Sequence, residues 1–175
     1  MKLINLLIAT ILFAGTASAD TVIMTSTKTI DVTPTIDTNI YASGDALGGL
    51  QTLTDAAREG TYSGVIHSVV VTDLASQGAD IDVIIFSANP SGTTFTNNAT
   101  LDIADADLVK VICVIQVTND ATFADNGASY AHGNNCVFSM QGTLSTTLYA
   151  AAVVRGTPTY ASASDLRFRY SILQD

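Results

Sequence analysis

The most regular pattern in the chain lies near its end, where Leu166, Phe168, Tyr170 and Ile172 alternate with Asp165, Arg167, Arg169 and Ser171. A period of two belongs to a strand with one face in a core and the other in water or against a partner. It predicts the four apolar side chains inward and Arg167 and Arg169 outward. Val65–Thr72 and Ile81–Phe86 read as strands flanking a tight connection at Ala75–Gly78, and hence as a hairpin. Val109–Val117 is apolar at both parities, which predicts a strand buried on both faces. Val137–Met140 and Thr147–Arg155 complete the strand set, with turns at Asn89–Gly92 and Gly156–Pro158. Asn119–Asn135, rich in Asp, Asn, Gly and Ala, reads as a long loop. Helical signals are brief: Leu53–Glu59, with Thr54 as N-cap and Gly60 as stop, and Ala104–Leu108. Short strands with regular turns predict an all-β chain, an antiparallel β-sandwich of jelly-roll-like or immunoglobulin-like type.

The first residues follow a different pattern. Lys2 precedes an apolar run from Leu3 to Gly15, followed by Ala17-Ser18-Ala19 and Asp20. A basic start, a short apolar stretch and small residues before a cut are the parts of a secretory signal. The run is shorter than the ~20 apolar residues a membrane span needs. The other reading is an assembly arm, in which Leu3, Leu6, Leu7, Ile11, Leu12 and Phe13 pack on a neighbouring subunit. The expected organisation is a signal-like segment at 1–19, an extended Thr-rich connector at 20–38 and one sandwich domain at 39–175.

Composition narrows the function classes. The chain has 175 residues, 47% of them hydrophobic and 13% charged, with seven Lys or Arg against sixteen Asp or Glu and a net charge of −9. That is core enough for one domain and too few cations for a nucleic-acid face. Glu59 is the sole glutamate, and the shortage of Glu, Lys and Arg beside many Thr, Ser and Val is strand composition.

The residues able to do chemistry are few. His67 shares the parity of Val65, Val69 and Val71 and reads as a hydrogen-bonded structural residue, while His132 falls in the long loop as a surface polar residue. Asp102, Asp105 and Asp107 form the densest acidic group, with the oxygen ligands Ca²⁺ takes but not the spacing of a Ca²⁺ loop. Asp102 as a helix cap, with the other two near a helix N-terminus, accounts for the group without metal. Asp73, Asp80 and Asp82 read as turn and strand-edge charges. Cys113 and Cys136 are the only cysteines. They suggest one bridge in an exported protein and two buried thiols otherwise. No catalytic motif or metal-binding spacing is present, so neither an enzyme, nor a metal, nor a cofactor is expected.

Tyr41-Ala42-Ser43-Gly44-Asp45, Ser63-Gly64-Val65-Ile66, Asn89 to Thr96, Asp102 to Leu108, Arg155 to Tyr160 and the closing Ile172-Leu173-Gln174-Asp175 carry a resemblance. From about Ile36 onward the chain resembles small virion proteins of tailed bacteriophages, a group of capsid-decoration and head-fibre-like β-sandwiches. The resemblance implies a non-enzymatic subunit that coats a particle, located in the virion, whose partners are copies of itself or other capsid subunits. A signal-like start does not belong to that picture. The alternative is a secreted bacterial cell-surface or filament-forming sandwich, cleaved between Ala19 and Asp20 and bridged at Cys113–Cys136.

Overall fold

A computed structural model describes residues 26–118, 121–133 and 136–175. Two antiparallel sheets pack face to face, an all-β sandwich. The strands are β1 (Ser26–Val32), β2 (Gln51–Leu53), β3 (Ser63–Asp73), β4 (Ile81–Phe86), β5 (Val111–Val117), β6 (Ala121–Thr122), β7 (Gly127–His132), β8 (Val137–Ser139), β9 (Leu148–Val154) and β10 (Leu166–Gln174). One short helix, α1 (Asp105–Leu108), precedes β5. The larger sheet runs β1-β10-β3-β7-β6, with β8 also on β3, and the smaller runs β2-β9-β4-β5.

β10 follows its alternation. Leu166, Phe168, Tyr170 and Ile172 are buried in the space between the sheets, and Arg167 and Arg169 are exposed. β10 sits between β1 and β3, and each such apolar side chain stabilises the fold by about 1.5–3 kcal/mol relative to exposure. Opposite it, Leu148, Ala150, Ala152 and Val154 of β9 and Ile81, Val83 and Ile85 of β4 complete the core.

Several elements depart from the pattern read in the sequence. Residues 26–32 of the expected connector form β1, whose Ile30 and Val32 pack on the core. The sandwich therefore takes in part of the 20–38 stretch. Leu53–Glu59 is the end of β2 followed by turns, not a helical turn. β3 and β4 do not form a hairpin, because they lie in different sheets. The Asp73 carboxylate accepts the backbone N–H groups of Ala75, Gln77 and Gly78 at 2.9, 2.7 and 3.2 Å, fixing a turn that carries the chain across the sandwich. β4 and β9, not β5, are buried on both faces, with β4 lying between β9 and β5. Asp82 is therefore in a central strand rather than at an edge, and Arg155 Nε meets its carboxylate at 2.7 Å. The outer side of β4 and β9, formed by Ile84, Phe86, Ala151 and Val153, is roofed by Phe95, Leu101 and Ile103 from the segment after β4.

The expected loop at 119–135 contains the β6–β7 pair. β7 and β8 lie on the same side of β3, at its two halves, so they act as one strand interrupted around Gly133 and Cys136.

Three tyrosines are buried in the core. Tyr170 donates to Gln51 Oε1 at 2.7 Å from one sheet to the other. Tyr41 donates to Asn97 Oδ1 at 2.7 Å and lies edge-on to Tyr160. Burial pushes the hydroxyls of Tyr41, Tyr160 and Tyr170 above their ordinary range. A tyrosine ionises near pH 10 in an unfolded chain. With the folded value raised, the folded state binds more protons above that pH, so stability is intact below about pH 10 and falls as pH rises further. In an alkaline titration these three phenols should ionise together with loss of the circular dichroism signal. Full phenolate absorbance before any such loss would contradict their burial.

Candidate interaction surface

The ends of the two sheets differ in how they are protected. A strand at a sheet edge presents unpaired backbone donors and acceptors, which proteins guard with charge, shortness or cover. β2 has three residues and β6 has two. β1 carries Lys28 and Asp31, the latter held by Arg167 at 2.8 Å and Arg169 at 2.8 Å. Those hydrogen bonds, that to Arg169 foremost, hold the Asp31 carboxyl below the usual carboxylate range. β5 is different. It has seven residues, Val111 to Val117, without charge or proline, and among the described residues its one strand partner is β4. Val114 is 52% exposed, and Gln116 is also exposed. This differs from the burial on both faces that its composition predicts, because an uncharged edge and a doubly buried strand have the same composition.

The disulfide lies beside this edge. Cys113 of β5 is joined to Cys136, just before β8, with Cα atoms 5.6 Å apart. It ties the end strand of the smaller sheet to the larger one. Phe123 and Val137, 59% and 61% exposed, and the half-exposed Tyr130 add apolar surface around β7 and β8.

The histidines come together here. β3 bulges between Ile66 and Ser68, since Ser171 pairs with Ser68 and Ile172 with Ile66. The bulge corrects the expected face: Val69 and Val71 are buried, but His67 is turned out. His132 is the last residue of β7 and not a loop residue, opposite Ser68. The two imidazoles have centroids 6.0 Å apart. The Tyr130 hydroxyl lies 2.8 Å from Nδ1 and 3.0 Å from Nε2 of His132. The sequence signal for Tyr130 is the spacing of Tyr130-Ala131-His132, which puts both rings on one face once the segment is a strand and is silent while it reads as a loop.

The acidic group resolves differently. Asp107 is buried, and its carboxylate accepts from Lys110 Nζ at 2.7 Å and Thr93 Oγ1 at 2.8 Å. The Lys110 hydrogen bond above all holds this carboxyl below its ordinary range. Asp102 and Asp105 are exposed. Asp102 is not the helix cap: Ala104 holds that position, and its N–H goes to Thr93 Oγ1 at 3.1 Å. The Asp107 carboxylate is thus committed to protein donors. Leu3, Leu6, Leu7, Ile11, Leu12 and Phe13 lie outside the described residues. No helix among the described residues is long and apolar enough to cross a membrane. Comparison with protein-family models and with curated proteins finds no match for this chain.

Proposed function

We propose that the chain is a non-enzymatic structural subunit of a bacteriophage particle, a capsid-decoration or other coating protein held to its neighbours through the β5 edge. The observation that carries this reading is the contrast between that uncharged seven-residue edge and a chain of net charge −9. Copies of so acidic a protein repel one another over most of their surface. An open strand lets a neighbour add backbone hydrogen bonds without bringing carboxylates together. Mass spectrometry of purified particles should find the protein, and added wild-type chain should co-sediment with particles lacking it. Val114→Lys, which puts a charge on the edge, should abolish co-sedimentation while the circular dichroism spectrum is unchanged. Equal co-sedimentation of this variant would remove β5 as the contact.

The disulfide favours a second reading, a secreted cell-surface or filament-forming sandwich, since such bridges persist in oxidising compartments. In that case the mature protein should begin at Asp20, occur in the extracellular fraction and be absent from particles.

A further inference from the structure

We propose that His67 and His132 form an open surface site for a borderline-soft divalent cation such as Zn²⁺, Ni²⁺ or Cu²⁺, with Tyr130 positioning His132. These are the only two histidines in the chain, and they are far apart in sequence. The backbone that unites them tolerates little variation. The bulge leaves His67 as the extra residue of β3 and aims it outward. The Gly133 N–H donates to the His67 carbonyl at 2.9 Å, anchoring the end of β7 at the bulge. A Cβ on Gly133 would run into the Ile66 carbonyl oxygen, so only glycine lets the two strands approach this closely. Both rings are therefore held at a defined separation on a rigid sheet, which favours a binding site over two independent surface residues.

The separation suits a shared ion. A metal bound to two imidazole nitrogens at about 2.0–2.1 Å places the ring centroids about 5–6 Å apart. The observed spacing is 6.0 Å with planes at 78°, so small side-chain rotations suffice. Neutral imidazole prefers Zn²⁺, Ni²⁺ and Cu²⁺ to hard ions such as Ca²⁺ or Mg²⁺. The Tyr130 hydroxyl lies within reach of both ring nitrogens of His132, so a small rotation of the imidazole gives one nitrogen to the ion and leaves the hydroxyl as the partner of the other, as metal-binding histidines commonly have. Both rings are exposed, so the remaining coordination positions face solvent. There they can take water or a donor from another molecule. The acidic chain raises the local concentration of dications.

Calorimetric titration of the disulfide-intact protein with ZnCl₂ tests this. One ion per chain should bind in the micromolar range. His67→Ala and His132→Ala should each weaken binding more than tenfold, and Tyr130→Phe should weaken it roughly tenfold. With Cu²⁺, the paramagnetic resonance spectrum of the wild type should show coupling to two nitrogens, reduced to one in either histidine variant. Wild-type binding only in the millimolar range, or unchanged binding by the two histidine variants with intact circular dichroism spectra, would overturn the site. Unchanged affinity in Tyr130→Phe would overturn the role of Tyr130.

Discussion

Phe168→Ala is expected to destabilise the protein by about 3–5 kcal/mol and to lower its melting temperature by on the order of 10 °C. Phe168 is fully buried in β10, opposite Val32 of β1 and Val71 of β3. Its ring stacks along the strand on Tyr170, with centroids 6.4 Å apart and planes at 16°. Truncation removes the transfer free energy of the ring and leaves a cavity that these paired strands cannot close by moving in. The neighbouring Arg167→Ala is the control. It points outward, and its ion pair with Asp31 is exposed, so its effect should be a small fraction of that of Phe168→Ala. Chemical denaturation of both variants separates the two. Equal effects would mean that β10 does not carry the core face described.

The second large effect concerns the bridge. Reducing Cys113–Cys136, or replacing both cysteines by alanine, should cost about 3 kcal/mol and lower the melting temperature by about 6–12 °C. The cysteines are separated by 23 positions, and closing a loop of that size in the unfolded chain accounts for most of this figure. The enclosed stretch holds β6, β7 and the residues between them. These strands are short: β7 pairs with β3, and β6 pairs with β7. Scanning calorimetry with and without reductant makes the comparison. An unchanged transition, with the thiols shown to be reduced, would mean that β7 and β8 are held by β3 without help.

What could be read from the sequence was what is written locally. The alternation of β10 states its own burial, the runs of β4 and β9 state only that they are strands, and the all-β sandwich follows from their number. Sheet membership is not local. The turn after β3 looks like a hairpin connection because Asp73, Ser76 and Gly78 are turn residues in either case, and the crossing depends on which neighbours β4 finds in β5 and β9. The bulge at His67 shifts parity by one residue, and nothing in Val65-Ile66-His67-Ser68 announces it. β7 was hidden because Gly127-Ala128-Ser129 has loop composition and gains its strand character only by pairing with β3. The aspartates illustrate the same limit: Asp107 is committed by Thr93, distant in sequence, and by Lys110, three residues on.

The roof over the smaller sheet separates the molecule into parts of unequal tenacity. Ile84, Phe86, Ala151 and Val153 are covered by one continuous stretch of chain. That stretch is fastened by Asn97, which accepts from Tyr41 and from the Gly48 N–H, by Thr93 at Asp107, and by main-chain hydrogen bonds of Asn98, Ala99 and Leu101 to Gly44 and Ala46. It can lift away without separating the two sheets, because the main core lies on the other side of β4 and β9. Such an opening requires less free energy than global unfolding and belongs to the class of sub-global fluctuations. Its amides, and its cleavage sites for a protease, therefore report a faster and shallower equilibrium than those of β10. Such a fluctuation delivers to solvent the ring of Phe86, which Phe95 covers edge-on in the intact sandwich.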